Sequence, residues 1–293
     1  MKHAFLIMAH NNFLVLKSFL RQLDSENNDI YLHIDKKVAD FPKDDLCNCV
    51  NKSKLIFVER ISIGYCDYTM VDGVCILFKE AMKRKYDYYH VASCADLLLH
   101  PISEFNKFFE KNQGKQFVGF SRDFVQERVF QKNFFIALCR HKSRIVSVGS
   151  IWLRKILINV QKKLSYNAVR NLNWEIKKGA DWYSITHNAA EYLLEQETKF
   201  HKYFKRAFCP TEFFAQTILY NSHFRKDIYC LDDEVKGSCR FIDWNRGLPY
   251  VFKQEDFDLL ISSEEMFGRK FMENIDLNIV NTLENYVLGE KYE

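Results

Sequence analysis

The chain alternates short, continuous apolar runs with longer stretches whose apolar positions recur at helical spacing. "HAFLIMAH" (3–10), "NDIYLHIDKK" (28–37), "KLIFVER" (54–60) and the run at 87–93 each have the length and β-rich composition of a buried strand. Between them, apolar residues at 13, 14, 16, 19, 20 and 23 predict one helix, and an amphipathic pattern over roughly 69–84 predicts another. Strands alternating with helices through the first hundred residues predict βαβ units and a mostly parallel sheet flanked by helices. Ligands of such sheets bind beyond the carboxyl ends of the strands, which draws attention to His10, Asp35, Gly64, Tyr65 and Asp96.

Further along, "PISEFNKFFEKN" (101–112) reads as a helix and "KQFVGFSRDF" (115–124) as a strand entering a loop. "IWLRKILINVQKKL" (151–164) mixes apolar and basic residues at helical spacing, with Ile151, Trp152, Leu153, Ile156, Leu157 and Val160 expected on one apolar-facing side. "ADWYSITHNAAEYLLEQ" reads as a strand into a helix, "CRFIDW" as a late strand, and "QEDFDLLISSEEMFGRKF" as a helix followed by a short basic loop. In "FCPTEFFAQTILYNS" (208–222) a helix is expected to start at Thr211, after Pro210. That leaves Glu212 as a lone carboxylate in the first turn of an otherwise apolar and amide-rich run. The helix macrodipole favours an acidic residue there, and so would a catalytic base.

Composition narrows the classes. With 293 residues, 47% hydrophobic and 27% charged, the chain can bury a sizeable core and has no disordered signature. The net charge of +4 is unevenly placed. From Arg128 to Trp174 there are ten Lys or Arg and no Asp or Glu, leaving 32 basic against 38 acidic residues elsewhere. This stretch calls for an anionic partner, and its amphipathic pattern favours an anionic membrane surface over nucleic acid. Nine scattered cysteines, with Cys47-Asn-Cys49 the one close pair, suggest reduced thiols and a cytoplasmic protein, with peripheral attachment to the inner face of the plasma membrane as the variant of that reading. The apolar run Ala4–Ala9 is too short for a signal peptide, and no run approaches the ~20 residues of a membrane span. No glycine-rich phosphate loop, GxSxG or HExxH occurs, so a nucleotide would be held by side chains.

Six segments in order resemble the core-2/I-branching β-1,6-N-acetylglucosaminyltransferase family, which includes peptide O-xylosyltransferases and many bacterial members. Within a match that runs from "AFLIMAHNN" to "MFGRKF", they are "IYLHIDKK", "YDYYHVASCADLLLHPISEFNKFFEKNQGKQFVGF", "KKGADWYSIT", "CPTEFFAQTILYNSHF", "RFIDW" and "FGRKF". Thr211 stands where the family has Asp, and Ala95, Leu98 and His100 depart from its usual Gln, Pro and Lys. The resemblance implies an A-type nucleotide-sugar glycosyltransferase fold, Rossmann-like, with a mostly parallel central sheet flanked by helices. It implies a single domain, with a nucleotide-sugar half (1–125), a basic amphipathic insert (126–174) and an acceptor-binding and catalytic half (175–293).

The resemblance also implies metal-independent, inverting transfer of a sugar, GlcNAc first among candidates, from a UDP-sugar to a glycan or lipid-linked oligosaccharide during surface-polysaccharide assembly. No metal or other cofactor is expected. UDP-xylose or another UDP-hexose is the alternative donor, and a non-catalytic UDP-sugar or nucleic-acid binder is the alternative class. Residue by residue, Glu212 matches the family's catalytic base and Lys270 its diphosphate-binding lysine, with Arg246 as second cation and Arg269 and Arg240 as substitutes. His10, Asp35, Gly64 and Tyr65 would bind the nucleotide, and Asp96, Glu127 and Trp244 would line the donor and acceptor sugars.

Overall fold

The computed structural model describes residues 1–122, 127–140 and 143–289. Strands β1 (His3–Ala9), β2 (Asn28–Ile34), β3 (Lys54–Phe57) and β4 (Tyr88–Ser93) lie parallel, and β6 (Ser184–Thr186) pairs antiparallel with β4, giving the order β3-β2-β1-β4-β6. A second, smaller sheet has the order β5-β8-β7, built from β5 (Asp96–Leu98), β7 (Arg240–Ile242) and β8 (Phe267–Arg269). The expected α/β architecture, a mostly parallel central sheet with helices on both faces, is therefore present.

The pleat explains why β1 is apolar at every position after His3. Ala4 and Leu6 point to one core, shared with the helices Thr69–Ala81, His187–Glu195 and Thr211–Tyr220. Phe5 and Ile7 point to the other, under the helices Phe13–Leu23, Ile102–Lys111 and Asn278–Leu288. A strand covered on both faces has no polar side to show, which is the signature of a parallel α/β sheet.

The chain leaves β1 toward β2 and β3 on one side, then crosses to β4 on the other. The strand order reverses between β1 and β4, and the crevice beyond their carboxyl ends is where such folds bind ligands. One buried side chain ties that crevice together. Asn12, in the left-handed conformation at φ 58°, donates from Nδ2 to Cys94 O (2.7 Å) and Phe271 O (3.0 Å). Its Oδ1 accepts from Glu273 N at 2.7 Å. The loops after β1, β4 and β8 thus converge on one amide.

Three sequence expectations change. The 115–124 segment forms only isolated bridges, Gln116 with Ile228 and Phe117 with Ser184, and its last two residues lie outside the described ones. The first three residues of "FGRKF", Phe267–Arg269, form the middle strand of the second sheet, paired with β5 and β7, and only Lys270 and Phe271 remain in the expected loop. The cysteines are not all reduced: Cys66 and Cys209, 143 residues apart, form a disulfide, and the other seven are free. Among the described residues no helix is long and apolar enough to cross a membrane.

Candidate active site

The helix Thr211–Tyr220 begins directly after Pro210 and carries Glu212 in its first turn, as its sequence predicts. The amides that follow have a structural purpose. Gln216 Nε2 donates to Ala180 O (2.7 Å), Thr217 Oγ1 donates to Lys177 O (3.0 Å), and Asn221 Nδ2 donates to Glu175 O (2.8 Å). Gly179 N donates to Glu212 O at 2.9 Å. This ladder lays the segment 175–182 along the helix. Gly179 is required there, because a Cβ would sit 1.9 Å from Gly119 O.

The ladder sets Asp181 beside Glu212. Asp181 Oδ1 and Thr211 Oγ1 are both buried without a completed hydrogen bond among the described residues. Burial, and then the charge of Glu212, push the Asp181 carboxyl up to about 6, against smaller opposing pulls from Thr211, Arg269 and Lys178. The charge missing at Thr211 relative to the resemblance is thus present in space at Asp181. Glu212 itself is gripped by two cations: Arg128 Nη1 donates to its Oε2 at 2.7 Å, and Lys178 Nζ lies 3.4 Å from the same oxygen.

Because Asp181 is raised in the folded chain, the native state holds its proton more tightly than the unfolded state does. The carboxyl therefore costs stability as pH rises from the ordinary carboxylate range through about 6. Asp181→Asn is expected to raise the melting temperature at pH 7 and leave it nearly unchanged at pH 4. Thermal melts at the two pH values check this, and an equal shift at both would exclude the linkage.

The crevice beyond β1, β2 and β4 collects another group. Asp35 is 6% exposed and accepts from Lys37 N at 2.9 Å. His10 lies within electrostatic reach of Asp35, Lys37 and Lys270; burial lowers its basicity first, Asp35 opposes that, and the two lysines add to it. Lys270, half-buried at the end of β8, is likewise pushed down by burial and by neighbouring Arg269. Arg269 Nη1 donates to Asp96 Oδ1 at 2.9 Å, and its guanidinium lies 4.5 Å from the Trp182 ring centre. Gly64 N donates to Thr69 Oγ1 at 2.8 Å, turning the chain so that Tyr65 stands exposed beside the disulfide.

Two of the candidate cations are differently placed. Arg240 is not available to a diphosphate: it is buried in the core and donates to the carbonyls of Val91, Tyr183 and Ser238 and to Ser184 Oγ. Its role is to satisfy backbone carbonyls where the two sheets meet, and burial lowers it to about 10. Arg246 is held by Asp243 and Asp256, each at 2.6 Å, so its charge is already compensated. Trp244, beside it, is 44% exposed. Glu127 begins the short helix Glu127–Phe130, and its side chain lies outside the described residues.

Sequence reading passed over Asp181, Trp182 and Lys178, although they stand inside a quoted motif. The available signal was a carboxylate between Gly179 and Trp182 in an otherwise strand-like run.

The sequence profile described as "Core-2/I-Branching enzyme" matches residues 3–260. The chain belongs to the Core-2/I-Branching enzyme family. Among curated proteins it is similar to the xylosyltransferase sqv-6 of Caenorhabditis briggsae, with 24% identity over 92% of this chain and 34% of that protein. The sqv-6 protein of Caenorhabditis elegans is 25% identical, also over 92% of this chain and 34% of its own length. The chain therefore spans about a third of the curated relatives it matches. Among solved structures, mouse xyloside xylosyltransferase 1 in its apo form superposes with a TM-score of 0.38 and 13% identity, over 91% of this chain and 96% of that one. This Core-2/I-Branching chain thus combines a carboxylate pair on the 181–212 side with a cation-lined crevice at the strand ends.

Proposed function

We propose that this family member is an inverting, UDP-sugar-dependent glycosyltransferase, with Glu212 as base and Lys270 as the principal diphosphate cation. The observation that supports it is the pairing of a first-turn carboxylate with a separate half-buried lysine at the crevice. In a single displacement the carboxylate takes the proton of an acceptor hydroxyl, the hydroxyl oxygen bonds to the anomeric carbon, and the bond to UDP breaks on the opposite face. The departing diphosphate gains negative charge, which Lys270 neutralises, with Arg269 beside it. Asp35 and His10 hold the nucleoside, Tyr65 and Gly64 border it, and Asp96, Trp244 and Asp181 lie toward the sugars.

The donor on this reading is UDP-xylose, favoured by the names of the curated relatives. UDP-GlcNAc is the rival, raised by the motif resemblance, with a glycan or lipid-linked oligosaccharide as acceptor. Charge neutralisation by side chains makes the reaction metal-independent.

A panel of UDP-sugars, scored by hydrolysis and thermal shift with and without EDTA, tests all of this. One donor is expected to stabilise the chain and to be hydrolysed equally with EDTA present. Activity lost with EDTA and restored by a divalent ion would overturn the metal-free reaction. Stabilisation by every UDP-sugar without any turnover would favour a binding protein.

A further inference from the structure

The helix Arg144–Lys163 is mounted inside out. Over 20 residues its one fully buried side chain is Ser150, and the side turned to the protein is made with polar groups. Arg154 Nε and Nη2 donate to Asn133 Oδ1 at 3.0 and 2.8 Å. Ser147 Oγ donates to Cys139 O at 2.6 Å, and Gln161 Nε2 donates to Lys132 O at 3.0 Å. At 100° per residue, Ile145, Val148, Trp152, Leu153, Ile156 and Val160 fall on the opposite side. All six are exposed, Ile145 at 86% and Trp152 at 66%. Ile151 and Leu157, expected from sequence on the outer face, turn partly inward instead, because the helix rotates to satisfy Arg154 and Gln161.

We infer that this outer face binds an anionic bilayer surface, lying in its headgroup layer. The apolar arc runs the length of the helix, roughly 30 Å. Exposed Arg144 and Lys155 line one edge of it, Lys163 ends it, and no acidic residue occurs between 128 and 174. An apolar centre with a basic edge and no acidic residue is the pattern of an interfacial helix. A nucleic-acid backbone would meet an apolar centre where it needs cations.

The position of the helix gives this surface a bearing on the site. The Arg154 guanidinium lies 4.8 Å from the ring centre of Phe208, four residues before Glu212. Together with Tyr65, Cys66, Ile136 and Cys139, these two residues line a recess beside the catalytic helix. A bilayer on the outer face therefore lies across this helix from Phe208, whose ring is also 5.5 Å from the Arg128 guanidinium that grips Glu212. The inference does not depend on which sugar is transferred, or on transfer itself.

The test is co-sedimentation of the full chain with vesicles of phosphatidylcholine alone or with about one-quarter phosphatidylglycerol. Binding is expected with the anionic lipid and is expected to be weak without it. Lys155→Gln with Lys163→Gln is expected to lower the anionic partition coefficient about 30-fold, since each cation near the surface contributes about fivefold. Trp152→Ser with Ile156→Ser is expected to abolish sedimentation while leaving melting temperature and UDP-sugar hydrolysis in free solution unchanged. Sedimentation independent of phosphatidylglycerol, or undiminished by the Ser pair, would overturn the inference. So would a dimer in velocity sedimentation that the Ser pair dissociates, without vesicle binding.

Discussion

Glu212→Gln is expected to lower kcat/KM for transfer by about 10²–10⁴-fold, the range for loss of a positioned general base. The substitution keeps the size of the side chain and its reach toward Arg128 and Lys178, and removes only the proton acceptor. On the proposed reading UDP binds in the other part of the site, near Lys270, so its affinity is expected to stay within about twofold. Progress curves with the preferred donor, paired with calorimetric titration of UDP, separate the two effects. A variant that transfers at the parental rate would move the base to Asp181. That carboxylate already lies beside Glu212 and is raised to about 6.

Lys270→Ala is expected to show the converse pattern. A charge-assisted contact to a diphosphate contributes about 1.5–3 kcal/mol, so UDP should bind about 10- to 150-fold more weakly. Uridine, which lacks the phosphates, should bind as before. Burial and Arg269 hold Lys270 below the ordinary lysine value, and an arriving diphosphate relieves both influences. The affinity lost should therefore shrink as salt is raised. Unchanged UDP affinity in Lys270→Ala would shift the phosphate contact to Arg269 or Arg246. For Arg246 that requires releasing Asp243 and Asp256.

The strands were the most legible part of the fold, because β1, β2 and β4 are covered on both faces and their apolar runs have no competing explanation. The start of the Thr211–Tyr220 helix was legible from Pro210, and the first-turn position of Glu212 followed from it. What stayed hidden depends on contacts between distant segments. Nothing in spacing couples Cys66 to Cys209, which meet because the Tyr65 loop packs against the turn before the Thr211–Tyr220 helix, where Cys209 N donates to Cys66 O at 3.0 Å. Arg240 read as a substitute diphosphate cation, since composition does not reveal that four acceptors wait for it in the core. Periodicity located the stripe on the Arg144–Lys163 helix but not which side faces the protein; tertiary hydrogen bonds decide that. Asp181 was overlooked for a similar reason, because only the amide ladder brings it to Glu212.

The three-way grip of Asn12 has a consequence for how the molecule opens. Its partners, Cys94, Phe271 and Glu273, belong to the two loops that carry Asp96 and Lys270. Lys270 and the end of the parallel sheet are therefore joined through one amide and the β5–β8 pairing. If the second sheet exchanges as its own cooperative unit, the crevice disappears in that opening while β1, β2 and β4 stay protected. On the proposed reading a bound nucleotide spans both units and so fuses them into one. Amide hydrogen exchange across 240–273 would then slow on adding UDP, far beyond the few residues that touch it.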